Sequence, residues 1–129
     1  GTVAAMLPEH EVYITDWADA REVPIFEGRF DLNSFIDYLI EFIHTLGSHT
    51  HVIAVCQPAV PALAATAIMA DNDDPMQPAS LTLMGGPIDT RRNPTGVNEL
   101  AQAKSIGWFE NNVISFVPPP HTGAMRRVY

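Results

Sequence analysis

The run His51-Val52-Ile53-Ala54-Val55 is apolar and rich in β-branched residues, stops at Cys56-Gln57-Pro58, and gives way at once to Ala59-Val60-Pro61-Ala62-Leu63-Ala64-Ala65. A strand pattern and a helix pattern this close together leave room only for a tight turn between them. The spacing therefore predicts strand, sharp turn and helix, with the sole cysteine of the chain at the turn. The other segments are read by whether they build a sheet around that turn.

Taken in order, Thr2 to Leu7 is a short apolar lead that Pro8 ends, because the residue before a proline is driven out of the α region. His10 to Trp17 reads as a strand: Val12, Tyr13, Ile14 and Thr15 are β-formers without a breaker, as in a strand covered on both faces. Arg21 to Phe30 is a loop interrupted by Pro24 and Gly28. Leu32, Phe35, Ile36, Leu39, Ile40, Ile43 and Leu46 then follow the spacing of an amphipathic helix, with Asp31 as N-cap and Gly47 just past its end. After the strand His51 to Val55, a second helix is expected from about Gln57 to Met69, its small residues letting it lie close to a sheet.

Asp71-Asn72-Asp73-Asp74-Pro75 is a polar loop, and Ser80 to Met84 a third, buried strand ending in Gly85-Gly86-Pro87-Ile88-Asp89. Strands alternating with helices over short connections predict an α/β fold, a parallel sheet with flanking helices and right-handed crossovers. Residues 1–89 are read as this core. Residues 90–129 are read as a cap or inter-domain connection, helical from Asn98 to Ala103 and toward Asn112, extended over Val113 to Val117, and irregular at Pro118-Pro119-Pro120.

A chain of 129 residues, 47% hydrophobic and 17% charged, suits one globular domain with a real core. Its net charge of -8, with only seven Lys and Arg spread along it, argues against a nucleic-acid partner. One cysteine makes no internal disulfide, which fits a reducing compartment. No apolar run approaches the roughly 18 to 20 residues of a membrane span, and Gly1-Thr2-Val3 opens no signal sequence, so an intracellular, soluble protein is expected. The absence of an initiating Met and the ending Arg126-Arg127-Val128-Tyr129 predict a fragment of a longer protein.

A thiol where a strand ends and a helix begins meets unpaired backbone N–H groups and the positive end of the helix dipole, both of which favour the thiolate. The N–H of Gln57, the next residue, is where an oxyanion hole would find a donor. Alternatively, Cys56 is a small buried hydrophobe, as lone cysteines in apolar surroundings often are. The generic Gly-x-Ser-x-Gly box stands here as Ala54-Val55-Cys56-Gln57-Pro58, both glycines replaced, and does not choose between these readings.

Elsewhere the alternatives also stay open. His121 as a base would take Asp89 as its acid, or it is a loop histidine beside prolines. Asp16 and Asp19 are paired carboxylates or turn caps, and Trp17 lines an acyl pocket at the carboxyl edge of the sheet or belongs to the core. Arg91 and Arg92 hold a substrate carboxylate or are solvated. His10, His44, His49 and His51 have no spacing for a metal site, and Gly85-Gly86-Pro87 lacks the Gly-Lys-Ser/Thr of a phosphate loop.

Three stretches resemble the intracellular polyhydroxyalkanoate (polyhydroxybutyrate) depolymerases: Pro8 to Trp17, with Glu9-His10-Glu11-Val12-Tyr13-Ile14-Thr15-Asp16; Thr50 to Pro58, with Val55-Cys56-Gln57-Pro58; and Leu81 to Thr95, with Gly85-Gly86-Pro87-Ile88-Asp89-Thr90-Arg91. The resemblance implies a partial α/β-hydrolase fold in which Cys56 is the nucleophile in place of the usual serine. It implies hydrolysis of short-chain 3-hydroxyacyl polyester in the cytoplasm, on storage granules, with the polymer or 3-hydroxybutyrate oligomers as partner. Neither a metal nor an organic cofactor is implied, and Asp16 and Trp17 become substrate-lining candidates.

In that superfamily the order is nucleophile, acid, histidine. The acid and histidine of the resembled family would lie beyond Tyr129, so the isolated chain is expected to be inactive. Two other functions suit the same residues: a polyester synthase-like acyltransferase, and a granule-surface or assembly module without catalysis. A sheet of three strands leaves open edges, which predicts self-association into a homo-oligomer.

Overall fold

The computed structural model describes residues 1–128 and contains, in chain order, helix α1 (Thr2–Met6), helix α2 (Leu32–Leu46), strand β1 (His51–Val55), helix α3 (Ala59–Asp71), strand β2 (Ser80–Met84), helices α4 (Gly96–Ala103) and α5 (Ile106–Asn112), and strands β3 (Ser115–Phe116) and β4 (Arg127–Val128). These form a mixed helix and strand architecture with a small parallel sheet and flanking helices, consistent with a partial α/β fold. The chain divides into two compact units, one of Arg29–Ile106 and one of Gly1–Gly28 with Gly107–Tyr129.

The Arg29–Ile106 unit holds the expected succession from α2 to β2. Asp31 starts α2 by accepting the Ser34 N–H at 3.0 Å, and Gly47 ends it at φ 93°, donating its N–H to Ile43 O at 2.9 Å. β1 and β2 pair in parallel, in the register His51 to Ser80 through Val55 to Met84. Helix α3 packs on both strands and α2 packs on α3. The core lies between α3 and one face of the sheet: Ala54, Ala59 and Ala62 are buried, with Leu39, Val52, Leu81 and Leu83 packed around them. Small side chains at Ala59, Ala62 and Ala65 bring the helix axis close to the strands, as the composition of this stretch predicts.

Two expectations are corrected here. Ser80–Met84 is a half-buried strand rather than a buried one, because Leu81 and Leu83 face α3 while Ser80, Thr82 and Met84 are exposed. No strand forms over His10–Trp17, and the sheet holds β1 and β2 alone among the described residues. That segment has the side chains of a strand and no ladder to join, and Tyr13 and Ile14 are 63% and 69% exposed. A strand is made by hydrogen bonds to a neighbour, which no local propensity supplies.

The other unit is built from two distant pieces of chain. Single-turn 3-10 helices at Ala20–Glu22 and Ile25–Glu27 shape the first piece, and Asp19 caps the former by accepting the Arg21 N–H at 2.9 Å. The second piece folds back on itself, with β3 antiparallel to β4, while Val117 is buried at 2% exposure and exchanges hydrogen bonds with Arg126 and Met125. The two pieces are joined through Arg126, whose guanidinium donates to the carbonyls of Val23, Pro24 and Gly28 at 3.0, 2.6 and 2.9 Å.

Candidate active site at the end of the first strand

At Val55 the strand stops, and Cys56 takes φ 65°, in the left-handed region. This backbone costs a non-glycine residue on the order of 1 kcal/mol or more, and it occurs mainly where the surroundings impose it. Here they do so from both sides. The Cys56 N–H donates to Met84 O at 2.7 Å, tying the turn to the last residue of β2, and Cys56 O accepts from the Ala59 N–H at 3.0 Å, tying it to the start of α3.

Gln57 and Pro58 form the turn itself, and Pro58 is the N-cap of α3 at φ -58°. The helix thus starts two residues later than the expected Gln57. Pro58 has no N–H to lose at this position, and its carbonyl accepts the Ala62 N–H at 3.1 Å. The thiol of Cys56 is exposed, so the alternative of a small buried hydrophobe does not describe it.

The loop after β2 closes on this turn. Gly85 turns the chain at φ 63°, and Gly86 lies against the first turn of α3. A Cβ at Gly86 would come within 2.1 Å of the Ala59 side chain and 2.9 Å of Cys56 O, so glycine is obligatory there. The signal for this position was present as a Gly-Gly pair, but which glycine met which residue was not.

Of the expected site residues, Cys56 and Gln57 fall in one unit and Asp16 and Trp17 in the other. Asp16 and Trp17 lie in the exposed extended stretch, where the Trp17 indole N–H donates to Thr15 Oγ1 at 3.2 Å. The pairing considered between His121 and Asp89 does not form. His121 Nδ1 lies 2.8 Å from Glu22 Oε1, and Thr122 donates to the other carboxylate oxygen at 2.9 Å. Asp89 instead takes Arg91, with Nε and Nη2 at 2.8 and 3.0 Å, and that guanidinium holds the Asp89 carboxyl below its usual range. Arg91 is 87% exposed, as a solvated residue with a local partner would be.

Two further histidines have partners in the same unit, His44 with Asp74 at 2.6 Å and His51 with Ser80 at 2.7 Å. Among the described residues no group of three or more His, Cys, Asp or Glu is arranged to hold a metal ion, and no helix is long and apolar enough to cross a membrane.

Comparison with known families matches the model of the PHB de-polymerase C-terminus, PHB being polyhydroxybutyrate, to residues 85–129. It begins at Gly85, immediately after β2, and includes Gly86 and the Pro87-Ile88-Asp89-Thr90-Arg91 run. The match supports a likeness to the PHB depolymerase C-terminus over these residues. No curated relative and no solved structure matches the chain.

Proposed function

We propose that Cys56 is the nucleophile of a carboxylic-ester hydrolase acting on intracellular short-chain polyhydroxyalkanoate, through an acyl-enzyme. The observation that carries this reading is the left-handed backbone of Cys56 at the carboxyl end of a parallel strand and the amino end of a helix, with the thiol exposed. Nucleophile elbows use this strand-turn-helix arrangement to present a side chain to a substrate. The depolymerase match over residues 85–129 supports the substrate class.

In the proposed reaction the Cys56 thiolate adds to the ester carbonyl of a 3-hydroxybutyrate unit. The Gln57 N–H, in the turn next to Cys56, stabilises the oxyanion. Collapse breaks the ester C–O bond, and the departing alkoxide takes a proton to become the hydroxyl end of the shortened polymer. Water then cleaves the thioester, returning the thiol and releasing the acid. The base that accepts the thiol proton is proposed to lie outside residues 1–129, because Asp89 and His121 are each committed to another residue. By itself the chain is then a nucleophile without its base, which costs several orders of magnitude in rate. Binding at the surface of polymer granules in the cytoplasm is part of the same proposal.

The test is ester hydrolysis of polyhydroxybutyrate by a protein that contains this chain, with and without Cys56→Ala. Loss of 3-hydroxybutyrate release in the variant is expected, and unchanged release would overturn the proposal. Supplying a hydroxyacyl thioester and finding polymer growth instead of monomer release would assign the same thiol to acyl transfer.

A further inference from the structure

We infer that Gly86 is a positioning residue for Cys56: its missing side chain is what allows the loop after β2 to seat on the turn and fix where the thiol and the Gln57 N–H stand relative to each other. The inference rests on the reading of Cys56 as nucleophile. Three observations carry it. A methyl group at 86 would overlap the Ala59 side chain at 2.1 Å and crowd Cys56 O at 2.9 Å, so no side chain fits without moving the turn or the helix. The Cys56 N–H is held by Met84 O, only two residues before Gly86, so the same loop fixes the turn at its amide and leaves no room beside its carbonyl for a side chain at 86. The Ala59 N–H is held in turn by Cys56 O, so Ala59 cannot yield to a methyl group at 86 without dragging the peptide that follows Cys56.

That peptide is the one that carries the Gln57 N–H. Displacing it separates the attacking sulfur from the oxyanion donor while leaving the thiol exposed. The consequence is selective. Alkylation of a thiol needs only an accessible sulfur, whereas acylation by an ester needs the sulfur and the donor on one carbonyl at once, and misplacement by about 1 Å costs on the order of a hundredfold.

The experiment uses the chain as it stands, since Cys56 is the only cysteine and reports without background. Alkylation by iodoacetamide is compared with acylation by p-nitrophenyl butyrate. The acylation is run in alkaline buffer, where hydroxide removes the thiol proton and the base proposed to lie outside residues 1–129 is not needed. The Cys56 sulfur forms a C–S bond to the butyryl carbon, the ester C–O bond breaks, and p-nitrophenolate departs with the electron pair. Gly86→Ala is expected to lower acylation about tenfold to a hundredfold and to leave alkylation within about twofold of wild type, a split that a simple loss of stability does not produce. Ala59→Gly combined with Gly86→Ala removes the atom at 2.1 Å and is expected to restore acylation toward that of Ala59→Gly alone, which also serves if Gly86→Ala does not fold. Equal acylation in Gly86→Ala and wild type, or a folded double variant that stays slow, overturns the inference. A wild-type thiolate that is acylated no faster than that of the urea-unfolded chain overturns the nucleophile reading itself, and this inference with it.

Discussion

The Nδ1 atom of His121 lies 2.8 Å from Oε1 of Glu22, joining two residues 99 positions apart and fastening the two pieces of the Gly1–Gly28 and Gly107–Tyr129 unit to each other. Thr122 reinforces the link from the other carboxylate oxygen, and Gly123 follows with its N–H on Arg21 O at 2.7 Å. This junction sets how the unit responds to acid.

Within it the Asp19 carboxyl is pulled from its ordinary 3.8 down to about 2, first by hydrogen bonds from the Arg21 side chain and then by the Arg21 backbone N–H. Glu22 is lowered too, mainly by the hydrogen bond to His121. A carboxylate with a lowered folded value contributes stability that is complete above its unfolded value and is lost as pH falls through the folded one. The Asp19 cap on the Ala20–Glu22 turn is therefore expected to loosen between pH 3.8 and about 2. Amide hydrogen exchange at residues 19–23 and 121–126 should rise over that range. Asp19→Asn should flatten the change, and an unaltered pH profile in Asp19→Asn would refute the assignment.

Arg126 satisfies three carbonyls with one planar group, which a lysine ammonium cannot span. Arg126→Lys is expected to cost about 1 to 3 kcal/mol, the range for leaving partly buried polar groups without partners. Cleavage within residues 23–28 by a broad-specificity protease should accelerate in the variant. The same digestion rate as wild type would show that water replaces the guanidinium without loss.

Cys56 holds a left-handed conformation that glycine adopts freely. Cys56→Gly is expected to be more stable than Cys56→Ala by about 1 kcal/mol, read from urea unfolding midpoints, although neither variant has a thiol. The ordering is the informative result. A stability gain that comes with loss of the nucleophile is what a strained functional position gives, and a Cys56→Ala variant at least as stable as Cys56→Gly would show that the turn carries no strain.

Removing the Asp31 carboxylate takes the cap from the longest helix of the chain, where it accepts from both the Ser34 N–H and Ser34 Oγ. Asp31→Ala is expected to destabilise the Arg29–Ile106 unit by about 1 kcal/mol, with Asp31→Asn recovering most of it. Chemical denaturation followed by circular dichroism measures both.

What could be read in the sequence was what neighbours along the chain decide. The apolar spacing from Leu32 to Leu46, the caps at Asp31 and Gly47, the strands His51–Val55 and Ser80–Met84, and the turn at Cys56 all depend on residues within one or two helical turns of each other, and all formed. The helix from Asn98 toward Asn112 also formed, divided into α4 and α5 at Lys104-Ser105.

Tertiary structure decided the rest. Val12-Tyr13-Ile14-Thr15 has strand chemistry but no ladder, because inter-strand hydrogen bonds are supplied by a partner and not by the segment itself. Glu22 with His121, and Arg126 with the carbonyls of Val23, Pro24 and Gly28, are contacts across about a hundred residues that no spacing encodes. The sequence placed a cysteine at the end of a strand. It took the packing of Gly86 on Ala59, two residues brought together by the parallel pairing of β1 with β2, to fix the turn in which that cysteine stands, because close approach of two backbones is a property of the fold and not of either segment.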